Sequence, residues 1–411
     1  MLYNLGDMNP STEQSVLKNK IKLLLKPKMK EILPLMDMPE IESETESDSV
    51  AEDNDGDDEE ENDDREITTS NTSNTEVVRR LRASQLTVED SVQRPMKLRP
   101  AVSAIMRRVF AISDLHVDYK ENMDIIQQWS PMDYENDALI VAGDVTDSLP
   151  LLQQTLQHLQ QVFFRVYYVP GNHELWIRKP EQEKDSITKF HQIITMCKEM
   201  GVVTEPESLC VSNMAAVWIV PLFSWYSTPE EDSEDSLYIK PQNPVGEDKS
   251  HNMWMDNHLC IWPSFEGTRS KYFANLNSQT CMKQYTDPVL SFSHFLPRTD
   301  LVKPSDKELA EIETERKRLG LESAVEANKK GHINPRSFNF TRYAGCKVLE
   351  AQIRQIGSSV HVFGHQHRNK DRRVDGVRYV SHCLGYKRER AAGLVTGIED
   401  CAPKQIWPDI V

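Results

Sequence analysis

Five short runs in this 411-residue chain carry side chains that bind divalent cations: Asp114-Leu115-His116, Gly143-Asp144-Val145-Thr146-Asp147, Gly171-Asn172-His173-Glu174, Ser293-His294 and Gly364-His365-Gln366-His367. Hard and borderline ions take carboxylate oxygen, amide oxygen and imidazole nitrogen, the donor types gathered here. Taken singly, each run is ordinary. An Asp-x-His is common, a His-x-His is often two surface or core histidines, and a lone His294 is more often structural. All five in this order suggest a divided task. Asp114, His116 and His367 could hold one ion, and Asn172, His294 and His365 a second, with Asp144 bridging the two. No thiolate sits among the candidates, so Mn, Fe and Zn all fit the donor set. Arg298, four residues past His294, could reach a substrate phosphate bidentately or form a surface ion pair.

Something must bring these runs together. Each follows an apolar stretch of strand character: FAIS before Asp114, LIVAG before Asp144, VYYVPG before Asn172, VLSFS before His294 and VHVFG before His365. In an α/β sheet, sites form at the carboxyl ends of strands. Strands are expected at 108–113, 137–142, 164–169, 215–221, 289–293, 360–363 and 377–380. Helices are expected at 121–128, 149–160, 184–200 (stopped by Gly201), 306–328 and 344–356. The alternation implies an α/β fold, with sheets flanked by helices. The stretch 225–284 has weak periodicity but three tryptophans, Trp225, Trp254 and Trp262, and is expected to form a cap beside the site.

Residues 1–104 differ from the rest. Between Pro39 and Arg65 lie eight Glu and seven Asp with no Lys or Arg; removing these fifteen from the formal charge of −16 leaves −1. The acidic stretch lacks the apolar content to offset chain entropy, so 1–104 is expected to be a disordered acidic tail and 105–411 the folded domain. Ser43, Thr45 and Ser49 each precede an acid by three residues, a pattern that suits an acidophilic kinase and also arises by chance in any acidic tail. Residues 17–35 are basic and partly amphipathic, and Pro27 interrupts them. They suit a transient helix, a partner-docking helix or a targeting segment. The near-neutral remainder argues against nucleic acid as a partner. Seven widely spaced Cys suggest free thiols, and no apolar run reaches membrane-span length. The expectation is an intracellular, cytoplasmic protein, with organelle targeting left open.

The ordered set of motifs resembles the calcineurin-like metallophosphoesterase superfamily over about 109–386. The phrases DLHVDY, VPGNHELW, SFSHFLPR and HVFGHQH look like a eukaryotic branch of it. The resemblance implies two mixed β-sheets packed as a sandwich flanked by helices. It also implies two divalent ions on the seven ligand candidates, hydrolysis of a small phosphate ester by a metal-bridging hydroxide, and His173 as the general acid. Asp147 is similar to the acid that orients that histidine, and a helix N-cap is its alternative. Glu174 is expected to support the site without ligating. Phosphoprotein phosphatases of the superfamily carry Arg-Gly after the second acid, where this chain has Ser148-Leu149, so a phosphoprotein substrate is disfavoured. Two other functions compete. A non-catalytic scaffold would tolerate loss of His173 or a ligand, and a nuclease would need a basic groove.

Overall fold

The computed structural model describes residues 108–178, 184–212, 215–241, 247–329 and 338–408. The tail expected over 1–104, with its segment 17–35, lies outside them. Among the described residues, ten strands form two sheets. They are β1 (Val109–Ile112), β2 (Ala138–Ala142), β3 (Arg165–Val169), β4 (Glu207–Ser212), β5 (Ala215–Pro221), β6 (Val289–Phe292), β7 (Ser358–Phe363), β8 (Lys370–Val374), β9 (Val377–Ser381) and β10 (Lys404–Trp407). One sheet runs β10-β1-β2-β3, the other β4-β5-β6-β7-β9-β8. Both are mixed: the central strands pair in parallel, and antiparallel strands lie at the β10, β4 and β8 edges.

Strand alternation explains the sandwich. Along β1 and β2, Val109, Ala111, Ala138, Ile140 and Ala142 pack with Val217, Ile219, Leu290, Phe292, Val360 and Val362 of the other sheet. The intervening residues Phe110, Ile112, Leu139 and Val141 face a second cluster that includes Leu152, Leu156 and Leu159 of α2 and Phe190 and Ile193 of α3. Strands buried on both faces read as unbroken apolar runs, as VFAI and ALIVA do. The helices that position the site are α1 (Lys120–Ile126), α2 (Leu149–Val162), α3 (Ser186–Met200), α4 (Asp306–Arg318) and α5 (Lys347–Gln355). Gly201 ends α3 in the left-handed conformation, with φ of 77°.

The single helix expected over 306–328 is two. Gly320 adopts φ of 71°, and the Leu321 N–H returns to the Arg316 carbonyl at 2.8 Å. That is a glycine stop of the Schellman kind. Ala324–Lys329 then forms a separate helix. The stretch 225–284 holds short helices at Ser250–Met253, Asp256–Leu259, Arg269–Leu276 and Ser278–Met282. Trp225 and Trp254 are buried, and Trp225 meets Trp262 edge-on at 4.8 Å, so its tryptophans pack the segment. All seven cysteines are free. Among the described residues, no helix is long and apolar enough to cross a membrane.

Ile140 is fully buried between the sheets. Ile140→Ala is expected to lower stability by about 2–5 kcal/mol, seen as a lower urea midpoint with an unchanged slope.

Candidate metal centre

The five expected runs do lie at strand ends. Asp114 follows β1, Asp144 follows β2, Asn172 follows β3, His294 follows β6 and His365 follows β7. The two sheets are joined at this end. The Ser113 N–H donates to the His382 carbonyl at 3.0 Å, and the Gly385 N–H to the Asp114 carbonyl at 2.9 Å. Donor atoms of Asp114, His116, Asp144 and His367 lie within 4.8 Å of one another, and so do those of Asp144, His294 and His365. Asn172 joins the second group, its Oδ1 at 3.1 Å from His294 Nε2. Asp144 belongs to both groups.

The backbone is bent to make this happen. Asp114, His116, Asp144, His365 and His367 all have positive φ, from 43° to 74°. Left-handed backbone is unusual for residues other than glycine and clusters at functional sites. The neighbouring glycines leave the space. A Cβ on Gly171 would lie 2.1 Å from Asp144 Oδ1, and one on Gly364 would lie 2.7 Å from Asp114 Oδ2.

Hydrogen bonds outside the cluster fix which imidazole nitrogens face in. His294 Nδ1 meets the Ala142 carbonyl at 2.9 Å, His365 Nε2 the Tyr343 carbonyl at 3.0 Å, and His367 Nδ1 the Glu389 carboxylate at 2.7 Å. An N–H pointed outward leaves the other nitrogen's lone pair pointing inward. The inward atoms crowd together: His116 Nε2 and His367 Nε2 are 3.0 Å apart, and His294 Nε2 and His365 Nδ1 are 3.2 Å apart. His294 Nε2 is also 3.3 Å from Asp144 Oδ2, and His367 Nε2 is 3.3 Å from Asp114 Oδ1. Lone pairs and carboxylates converging on two adjoining points form a donor set that suits two cations.

The electrostatics agree. Burial would push Asp144 up, but His294 and His173 hold it well below the carboxylate range. Burial, with His173 and His367, keeps His116 well below its ordinary value. Burial, with His294, does the same for His365. His294 behaves oppositely: burial pulls it down, but Asp144 overcomes this and pushes it up to about 9. Glu389 and Asp114 likewise raise His367 against burial. Without a cation, each half of the cluster attracts a proton.

Residues 107–251 match the calcineurin-like phosphoesterase family. The chain carries a calcineurin-like phosphoesterase domain. A relative is the [acyl-carrier-protein] phosphodiesterase PptH of Mycobacterium tuberculosis, 34% identical over 151 residues. That alignment takes in 34% of this chain and 46% of the relative, so the chain spans about half the length of the curated protein it matches. The crystal structure of phosphopantetheinyl hydrolase (PptH) from the same bacterium aligns with a TM-score of 0.51 at 22% identity, covering 75% of this chain and 98% of that one. At that identity the likeness shows the fold.

Asp147 does not cap α2, whose N-cap is Ser148, and its carboxylate pairs with Arg178. Asp118, which accepts a hydrogen bond from the Thr146 hydroxyl, is a further carboxylate that His173 acts on by charge, and burial raises its carboxyl. Arg298 forms ion pairs on the surface side of α5 and β9. Its guanidinium meets Asp300 at 2.8 Å, Glu350 at 2.9 Å and Asp375 at 3.1 Å. His173 is buried, with Nε2 3.8 Å from Asp144 Oδ2 and its ring 3.7 Å from that of Trp176.

Three supporting acids matter. Glu174 accepts from the backbone N–H groups of Gly171, Asp144, Val145 and Thr146, tying two strand-end turns together. Burial and the Asp144 charge push its carboxyl up to about 7. Glu389 and Asp256 were not anticipated. Asp256, in the 225–284 segment, accepts from Asn172 Nδ2 at 3.0 Å, Trp176 Nε1 at 2.6 Å and Trp254 Nε1 at 2.9 Å. It turns the Asn172 amide oxygen toward the cluster.

A cation that replaces the protons on His294 and His367 must release them. The affinity of the metal-free protein for Mn²⁺ is therefore expected to rise with pH up to about 9, where His294 titrates. Calorimetry in buffers of different ionisation enthalpy checks this, and binding without proton release would contradict it.

Proposed function

We propose that this site holds two divalent cations and hydrolyses a phosphodiester. Asp144, common to two groups of converging donors, is the observation that supports the reading most directly. Bound there, the ions would supply charge for the phosphate oxygens and a water acidic enough to act as nucleophile near neutral pH. Asp114, His116 and His367 would hold one, Asn172, His294 and His365 the other, with Asp144 between them. The donor set leaves Mn, Fe and Zn open.

His173 is suited to give a proton to the departing ester oxygen. Its backbone N–H donates to Asp144 Oδ1 at 3.1 Å, which ties the acid to the cluster. Trp176 lies against its ring, and Asp256 holds the indole in place. Tyr386 stacks on His116 at 4.4 Å and walls the cluster beside it.

Two considerations favour a diester. The Asp118 carboxylate, which acts on His173 by charge, adds negative charge near the cluster when ionised, against the burial that raises its carboxyl, and this disfavours a phosphomonoester dianion more than a diester monoanion. The relative PptH is an acyl-carrier-protein phosphodiesterase, so that class of diester is the first physiological substrate to test. A non-catalytic scaffold is the competing reading, and a complete donor set with His173 in place argues against it.

The purified chain with Mn²⁺ is expected to hydrolyse a bis-aryl phosphodiester faster than an aryl phosphate, and a chelator should stop it. His173→Ala should lower kcat by roughly 10²–10⁴-fold while metal content stays unchanged. Undiminished turnover in that variant would remove His173 from the reaction. Metal binding without turnover of any ester would favour the scaffold. Asp118→Asn is expected to raise kcat/KM for the monoester relative to the diester, and an unchanged ratio would discount the rim charge.

A further inference from the structure

Behind the histidine pair lies a feature that the metal cluster does not use. Lys370 opens β8, and its side chain turns inward, leaving the residue only 4% exposed. Its ammonium donates to Gln366 Oε1 at 2.6 Å and to the Arg368 carbonyl at 3.3 Å, both neutral acceptors. The nearby Glu308 carboxylate is committed to Arg372 and the Ser305 N–H. Burial pulls the Lys370 amine down to about 7, against the field of Glu308. A buried ammonium with no anion of its own is costly.

Ser381 of β9 is the cross-strand partner of Lys370 in register. Directly opposed residues share one face of the sheet. The Ser381 hydroxyl is buried and has no hydrogen-bond partner among the described residues. Buried hydroxyls are seldom left unmatched. Both residues line a groove of about 830 Å³ beside α4, with Asn369, His382, Thr396 and Gly397. Of the other carboxylates on the groove, Asp371 pairs with Arg378 and Lys404, Glu311 with Lys307 and Glu315 with Arg318, and Glu399 is exposed.

We propose that the floor of this groove is a binding site for a small oxyanion, a phosphate or carboxylate group, held by Lys370 and Ser381. An oxyanion offers lone pairs to both donors. Its charge compensates the buried ammonium, which makes the hydrogen bonds charge-assisted. Gln366, which Lys370 holds, stands between His365 and His367, so the site backs onto the metal loop. It shares no side chain with the proposed metal centre and can be tested without metal.

Full-length protein kept metal-free by a chelator is titrated calorimetrically with inorganic phosphate below pH 7, where the Lys370 amine keeps its proton. One phosphate is expected to bind, about tenfold or more weakly in Ser381→Ala. Binding should be lost in Lys370→Met and retained in Asp144→Asn. The Ser381 hydroxyl has no hydrogen-bond partner among the described residues, so its removal reads binding alone if the lysine variant misfolds. Absence of binding, or binding undiminished in Ser381→Ala, overturns the proposal. Loss in Asp144→Asn with retention in Lys370→Met would place the phosphate in the metal cluster and overturn it equally.

Discussion

Everything at the active end of the sandwich follows from one constraint: buried lone pairs from Asp114, His116, Asn172, His294, His365 and His367 must converge on the space around Asp144. Mutually close imidazole nitrogens and carboxylates are unfavourable without positive charge between them. Five of these residues also hold left-handed backbone, a strain of order 1 kcal/mol or more each. Such an arrangement persists only where the surroundings over-determine it. Here parallel strands end at one rim, small glycines permit close approach, and Glu174 binds the turns after β2 and β3 with four backbone N–H groups.

A second layer turns this rim into a directed site. Carbonyls of Ala142 and Tyr343 and the carboxylate of Glu389 take the outward N–H of three histidines. The 225–284 segment contributes through Asp256, whose carboxylate joins Asn172 to two tryptophan indoles. One of those indoles packs on His173. That segment is therefore tied to the cluster by hydrogen bonds, and its aromatic packing supports the site as well as the fold.

Much of this was legible in the sequence, because the informative residues are local. Apolar runs ending in Gly-Asp, Gly-Asn or Gly-His name both the strand and the donor it delivers. The supporting acids are different. Asp256 lies 84 residues from Asn172, and Glu389 lies 22 from His367, so no spacing marks them. The partners of Asp147 and Arg298 were equally invisible: Arg178 pairs with the first, and Asp300, Glu350 and Asp375 with the second. Edge strands β4, β8 and β10 escaped notice because they are half-exposed, with little apolar pattern. The α4 break rested on Gly320 within an otherwise uniform charged helix.

The central claim is that Asp144 is shared by two cations. Anomalous diffraction from crystals grown with Mn²⁺ tests it most directly. Two peaks about 3.5–4 Å apart are expected, one on each side of the Asp144 carboxylate. A single peak, or peaks bound by other side chains, would contradict it.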